Sequence, residues 1–155
     1  MGQEIERKFL LLSDAWRDEV RDSMHLVQGY LLRGEHSAIR VRITGDMAEL
    51  NIKHALDGIR RHEYEYPIPI NDARELIEHV ALRPLIDKTR HHVVHGDRLW
   101  EIDEFHGENA GLVVAEIELQ TVDEPFERPP WVGAEVSQDA RYYNSNLSKL
   151  PFSQW

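Results

Sequence analysis

Residues 37–54 read SAIRVRITGDMAELNIKH and contain the clearest structural pattern in the chain. Side chains alternate between two faces along each half of it, and Gly45-Asp46 between the halves is typical of a turn. The first half places Arg40 and Arg42 opposite an apolar face, and the second half does the same with Lys53. The stretch therefore predicts two antiparallel strands, each with one charged face and one apolar face.

The same alternation recurs along most of the chain. It predicts eight strands, at residues 3–12, 26–33, 37–44, 47–54, 59–67, 85–94, 99–105 and 112–120. Three short helices are predicted at residues 14–22, 72–79 and 142–149, with Ser13 and Asn71 as N-caps of the first two. A mainly antiparallel meander of this size favours a closed barrel or two packed sheets, because closure removes exposed strand edges. The expected fold class is mainly β, in one domain that spans residues 1–155.

Composition narrows the function classes. The chain has 155 residues, no cysteine and a formal net charge of -10, so disulfides and sulfur-based zinc sites are excluded and broad binding to nucleic acid is disfavoured. The longest aliphatic run, residues 112–115, is too short to cross a membrane. We therefore expect a cytoplasmic protein with no membrane or nucleic-acid partner, and the sequence leaves monomer and homodimer open.

Fifteen charged residues share the alternating pattern and lie mid-strand opposite an apolar face. The bases are Lys8, Arg40, Arg42, Lys53, Arg61, Lys88 and Arg90, and the acids are Glu4, Glu6, Glu63, Glu65, Glu101, Asp103, Glu116 and Glu118. From the pattern alone, the ordinary explanation is a solvated sheet face over a normal core. The alternative is that these side chains point inward and line a water-filled barrel, where they pair with one another, with metal ions and with a bound polyanion.

A family resemblance favours the second explanation. Glu4-Ile5-Glu6-Arg7-Lys8 matches the E-x-E-x-K signature of the CYTH superfamily, the triphosphate tunnel metalloenzymes. Further segments resemble the family in order, at residues 28–31, 40–42, 52–53, 61–65, 88–90, 100–103, 115–118, 131–133 and 141–142. The resemblance covers nearly the whole chain.

The resemblance implies an eight-stranded antiparallel barrel with a hydrophilic tunnel, short helices outside and a C-terminal plug helix. Short members of this kind look most like inorganic triphosphatases, so the implied activity is metal-dependent hydrolysis of inorganic triphosphate, a small-molecule substrate, to pyrophosphate and orthophosphate. Adenylyl cyclase of class IV, thiamine or nucleoside triphosphatase, and a polyphosphate-binding module without catalysis remain alternatives.

Phosphoryl transfer requires the charges of the phosphate chain to be neutralised, which makes the inward bases the candidate substrate ligands. These are Lys8, Arg40, Arg42, Lys53, Arg61, Lys88 and Arg90. Mg²⁺ or Mn²⁺ prefers carboxylate oxygens, and the resemblance assigns the metal to Glu4, Glu6, Glu116 and Glu118. The candidate catalytic residues are Lys8, Lys88, Glu116 and Glu118.

A second tier of candidates comprises Glu63, Glu65, Glu101, Asp103, Tyr30 and Arg141. The four acids would orient bases, hold a second metal or position water. Tyr30 is equally well explained as a contact of the plug helix or as a core tyrosine. Arg141 resembles a basic position before the plug helix, although an exposed salt bridge explains it slightly better.

Overall fold

The computed structural model describes residues 2–155, which form nine β-strands and two α-helices. The strands are β1 (Gly2–Leu11), β2 (Val20–Arg33), β3 (Ser37–Thr44), β4 (Met47–Ala55), β5 (Arg60–Pro67), β6 (Ile86–His95), β7 (Arg98–Phe105), β8 (Val113–Leu119) and β9 (Val132–Glu135). The helices are α1 (Ile70–His79) and α2 (Asn144–Leu147). Short 3₁₀ turns lie at Ala15–Glu19, Gly107–Asn109, Ala140–Tyr142 and Phe152–Gln154.

Eight of the strands close into an antiparallel barrel. Hydrogen bonds join them in the order β5-β4-β3-β2-β6-β7-β8-β1, and β1 pairs with β5 to complete the ring. The first part of β1 pairs with β5, and its last part pairs with β9, which is added to the barrel as an extra strand. The predicted eight-stranded barrel is therefore confirmed.

The apolar strand faces point outward. Phe9 and Trp100 lie in a buried cluster with Trp16 and Trp131, which come from segments outside the barrel strands. On another side α1 covers β3 and β4, where Val41 packs against the helix. Because successive side chains of a strand alternate between its faces, the charged positions point into the barrel.

One part of the interior is closed by an apolar plug. Ile86, Phe105 and Val114 project inward from three strands and pack against Tyr142 and Leu147 of the C-terminal segment. The C-terminal segment that includes α2 thus closes this part of the barrel interior, in agreement with the implied plug helix. Among residues 2–155, no helix is long and apolar enough to cross a membrane.

The local predictions that were wrong lie mostly at helices. Instead of a helix at residues 14–22, the chain forms the 3₁₀ turn Ala15–Glu19, and β2 begins at Val20 because it pairs with β6 from that residue onward. Helix α1 begins at Ile70, so Asn71 lies inside it and is not its N-cap. The last helix contains only residues 144–147, since the chain before it is a 3₁₀ turn and Tyr143 is extended.

Strand β9 was not predicted. It follows a proline-rich loop and is four residues long, which leaves little alternation to detect. Gly133 lets it approach β1, because a side-chain Cβ there would lie 3.1 Å from the Leu10 carbonyl oxygen.

Candidate functional site

Lys8 lies deep in the barrel beside the plug. Its Nζ donates a hydrogen bond of 3.0 Å to the Tyr142 carbonyl oxygen and lies 3.5 Å from Oε1 of Glu116. Glu116 stands directly opposite Lys8 on β8, and its Oε2 lies 3.8 Å from Nη2 of Arg90. Burial alone would raise the pKa of Glu116, but Lys8 and Arg90 outweigh it and lower the pKa to about 2.

Lys88 belongs to a buried charge group on β6 and β7. Its Nζ donates to Oδ2 of Asp103 at 2.8 Å and to Oδ1 of Asn144 in the plug at 3.2 Å. Arg90 donates two further bonds to Asp103, at 2.8 and 2.9 Å, and lies 3.2 Å from Glu101. Burial opposes ionisation of Asp103, yet Arg90 and Lys88 hold its pKa well below the ordinary range. Burial lowers the pKa of Lys88 to about 8 even though Asp103 opposes that shift.

Lys53 lies between two acids on the other side of the interior. Its Nζ is 3.0 Å from Oε1 of Glu4 and 3.1 Å from Oε2 of Glu63. Burial and the nearby Arg40 disfavour the ammonium, but the surrounding carboxylates of Glu4, Glu6 and Glu63 raise the pKa of Lys53 above its ordinary value. This lysine therefore carries its charge across the whole physiological pH range.

Two arginines project from β3. Nε of Arg40 donates to Oδ1 of Asn51 at 3.0 Å, and Nη1 of Arg40 lies 3.5 Å from the Tyr30 hydroxyl. Nη2 of Arg42 pairs with Glu49 and lies 3.4 Å from Oε2 of Glu65. Both guanidinium groups are held by neighbours within the barrel, so their forks are positioned before any ligand binds.

Glu6 and Glu118 differ from the other interior acids. They stand directly opposite each other on β1 and β8, and neither forms an ion pair with any base in residues 2–155. Burial, Glu116 and Glu4 raise the pKa of Glu6 well above its ordinary value. Burial and neighbouring acids, Glu4 first, raise the pKa of Glu118 as well. The pair concentrates negative charge that a cation would relieve.

A cavity of about 160 Å³ leads into the charged interior beside the plug. Its wall includes Glu4, Glu6, Lys8, Arg40, Lys53 and Arg61 from the strands and Tyr143, Asn144 and Ser145 from the C-terminal segment. The Arg61 guanidinium lies 5.1 Å from the centre of the Tyr143 ring, in cation–π geometry. The cavity therefore joins inward-facing bases and acids with the plug.

The barrel brings together all fifteen of the charged candidates on its inner face. Tyr30 fits both of its explanations, because it is buried, packs against Tyr142 of the plug segment and approaches Arg40. Arg141 lies outside: it is exposed, pairs with Asp139 at 2.8 Å and stacks 4.8 Å from the Trp155 ring centre. The arrangement matches the exposed salt bridge that the sequence slightly favoured for Arg141.

Three interior polar residues were assigned no site role by the sequence reasoning. They are Gln28, Asn51 and Glu49, all at inward positions of β2 and β4. Their alternating positions could have identified all three as inward-facing. Two of them are neutral amides, however, so a search for charged residues does not find them. Two of them belong to the same site by their contacts, since Asn51 holds Arg40 and Glu49 holds Arg42.

The four acids assigned to a metal lie on adjacent strands, and their donor chemistry suits a hard divalent cation. Within residues 2–155 no three His, Asp or Glu side chains converge closely enough to form a ready cage. Glu4 is turned toward Lys53 and Glu116 toward Lys8, while Glu6 and Glu118 have no base as partner. The unpaired Glu6 and Glu118 are therefore the carboxylates that fit a cation best.

The chain belongs to the CYTH domain family, whose model matches residues 2–151. An inorganic triphosphatase from Acetivibrio thermocellus is 42% identical over 155 residues, covering 100% of this chain and 99% of that protein. An inorganic triphosphatase from Nitrosomonas europaea is 34% identical over 149 residues, covering 94% of this chain and 96% of that protein.

The fold is also that of solved relatives. A crystal structure of an inorganic triphosphatase superposes with a TM-score of 0.67 at 32% identity and covers 96% of this chain and 95% of that one. A protein from Pyrococcus horikoshii superposes with a TM-score of 0.62 at 20% identity over 76% of this chain and 79% of that one, which is a likeness of fold.

Proposed function

We propose that this protein is a hydrolase that cleaves inorganic triphosphate to pyrophosphate and orthophosphate inside its barrel. The observation that carries the proposal is the barrel interior, where bases from β1, β3, β4 and β6 face acids from β1, β5, β7 and β8. The two inorganic triphosphatases that resemble the chain over nearly its whole length support the choice of substrate.

The bases bind the phosphate chain. Arg40 and Arg42 offer guanidinium forks that match phosphoryl oxygens, and Lys8, Lys53 and Lys88 offer compact positive charges. All five are held in place by protein contacts, so little conformational freedom is lost when the substrate binds. Arg61 and Arg90 complete the set, one at the cavity wall and one beside Glu116.

The same bases favour cleavage as well as binding. Hydrolysis adds water to a terminal phosphorus and breaks its bond to the bridging oxygen, which leaves with the pyrophosphate. Negative charge increases on that oxygen as the bond breaks, and preorganised cations beside it lower the barrier. Lys88, whose Nζ is held by Asp103 and by Asn144 of the plug, is the candidate for this role, and burial lowers its pKa to about 8, which leaves it mostly protonated at neutral pH.

Glu6 and Glu118, with Glu4 and Glu116 next to them, are proposed to hold the metal ion, Mg²⁺ or Mn²⁺. When bound, such an ion neutralises phosphate charge and lowers the pKa of water. Within the protein, the facing carboxylates of Glu6 and Glu118 supply oxygen ligands at the point where burial and neighbouring acids already raise their pKa values. A pure anion-binding protein would gain nothing from this cluster, which argues against binding without catalysis.

The proposal is tested by comparing an acid variant with a base variant. Glu118→Gln keeps the shape of the side chain and removes one charge, so turnover of tripolyphosphate should fall at least about 100-fold, since a lost preorganised electrostatic contact costs about 3 kcal/mol. Its affinity for tripolyphosphate without metal should stay equal or rise. Lys53→Ala should instead weaken that affinity, because it removes an attractive charge. Orthophosphate release and metal-free calorimetry measure both quantities.

Wild-type protein in excess EDTA is the control, and its activity should return with Mg²⁺ or Mn²⁺. Wild-type turnover by Glu118→Gln, or full turnover in EDTA, would contradict the metal assignment. Formation of cyclic AMP from ATP would identify the protein as a cyclase. Faster turnover of thiamine or nucleoside triphosphates than of tripolyphosphate would identify one of those compounds as the preferred substrate.

A further inference from the structure

Gln28 is a fully buried side chain without a hydrogen-bond partner. Its exposed fraction is 0%, and neither Nε2 nor Oε1 bonds to any group in residues 2–155. Buried side-chain amides in folded proteins are nearly always hydrogen-bonded, so an exception calls for an explanation. The charged interior site described above does not use this residue.

The Gln28 amide lies inside the barrel. The next residue, Gly29, faces outward, because a Cβ there would touch Ile77 and Ala81 on the outer side at 2.7 Å. Gln28 is therefore on the inner face of β2, where it stands directly opposite Arg42 of β3 and Ile86 of β6. Its amide group shares the interior with the arginines that we propose bind substrate.

Two further inward N–H donors, on β3 and β4, are also unpaired. Nη2 of Arg42 contacts Glu49 and Glu65, but Nε of Arg42 is buried without a partner. Asn51 on the next strand accepts a bond from Arg40 at Oδ1, and its Nδ2 forms no hydrogen bond of normal geometry, although it lies close enough to Glu49 to help lower the pKa of that carboxyl group. Three inward donors on the adjacent strands β2, β3 and β4 are thus free at once.

We propose that Gln28, Arg42 and Asn51 form a binding subsite for one phosphoryl group of the triphosphate, with Gln28 and Asn51 as neutral donors. This inference rests on the proposed function and adds two substrate-binding residues to it. A tetrahedral phosphoryl group presents several acceptor oxygens, which can accept hydrogen bonds from donors on three consecutive strands. Amides add N–H groups here without adding charge, so they do not increase the repulsion between Arg40 and Arg42.

The test is Gln28→Met, which keeps the approximate length of the side chain and removes its donor. We expect metal-free affinity for tripolyphosphate to fall about tenfold to a hundredfold, the usual effect of a lost hydrogen bond to a charged group. KM should rise accordingly, and kcat should change less. Unliganded stability should be equal or higher, because an unpaired polar group has been replaced by an apolar one.

Gln3→Met is the matched control, since Gln3 is exposed on the outer face of β1 and should leave affinity unchanged. Asn51→Asp is a second, isosteric variant: it keeps the acceptor for Arg40, removes the donor and should also weaken binding. Calorimetry with tripolyphosphate measures each affinity, and thermal unfolding without ligand reports the fold.

The outcomes separate this inference from the proposed function. If the wild-type protein neither binds nor hydrolyses tripolyphosphate, the proposed function fails. If the wild type does both and Gln28→Met binds with the same affinity, the subsite is wrong. A lower melting temperature of Gln28→Met with unchanged affinity would assign Gln28 a structural role and likewise overturn the subsite.

Discussion

Glu63 and Glu65 are two residues apart on one strand, yet their pKa values move in opposite directions. Burial disfavours ionised Glu63, but Lys53 and neighbouring hydrogen bonds lower its pKa to about 2. Hydrogen bonding to Glu63, burial and the charges of Glu63 and Glu49 raise the pKa of Glu65 to about 7. Protonated Glu65 therefore donates a hydrogen bond to the ionised carboxylate of Glu63, and the two carboxyl groups have different protonation states below pH 7.

Glu65→Gln should change the pH dependence of stability. Because its folded pKa lies above the ordinary value of 4.5, protonated Glu65 stabilises the fold at low pH, and this contribution is lost as the pH rises through about 7. A glutamine remains a neutral donor to Glu63 at every pH. The variant should thus match the wild type near pH 4.5 and be more stable at pH 8, as measured by urea unfolding at both values. A difference that is independent of pH, or a variant less stable at pH 8, would contradict the shared proton.

The charged candidates could be predicted residue by residue. Alternation places them on one face of each strand, and the family resemblance indicates that this face points into the barrel. Gln28 and Asn51 were given no role in the site, although alternation places Asn51 on the same face as Lys53, since a neutral amide at an alternating position is common on solvated strands. The raised pKa of Glu65 was also not predicted, because it depends on a hydrogen bond with Glu63, on burial and on the nearby Glu49 of another strand, none of which the strand pattern shows.

The contact between β2 and α1 shows how one small residue positions a whole element. Gly29 lies where β2 meets the chain around α1, and a Cβ at this position would be 2.7 Å from both Ala81 Cβ and Ile77 Cδ1. Such distances are too short for carbon atoms in contact. The absence of a side chain at Gly29 therefore lets the helix cover the barrel.

Gly29→Ala should destabilise the fold by about 1–3 kcal/mol, the usual cost of overpacking a filled interior. Chemical unfolding measures the change. Ile77→Val in the same background removes Cδ1 and should recover part of the loss, although Ala81 still restricts the site. A Gly29→Ala variant as stable as the wild type would mean that α1 is held less closely than the structure shows.

Strands were more predictable than helices for a physical reason. Residues 37–54 carry their own alternation and turn, so β3 and β4 follow from local sequence. Residues 20–25 become strand only because β6 supplies hydrogen bonds to them, and β9 exists only because β1 extends past β5. These strands form because distant segments pair with them, and the local sequence contains no pattern that predicts such pairing.

Barrel closure is what creates the candidate site. Glu4 on β1 contacts Lys53 of β4, which lies on the far side of β5. On its other side β1 pairs with β8, where Glu6 faces Glu118 and Lys8 faces Glu116. These groups are far apart in sequence and become neighbours only when the first strand joins both ends of the sheet. A single domain spanning residues 1–155 and a cytoplasmic location stay predictions from the sequence.

If the inner face of the barrel binds and cleaves triphosphate, two arginines on opposite faces of the barrel wall should differ in their effect on activity. Arg42 points inward, whereas Arg7 points outward and pairs with Glu135 at 2.6 Å. The measurement is kcat/KM for orthophosphate release from tripolyphosphate, with pyrophosphate quantified as the second product. The wild type should release the two products in equal amounts, Arg42→Ala should lose about tenfold or more, and Arg7→Ala should stay close to the wild type. Equal losses in both variants, or no cleavage by the wild type, would contradict the account.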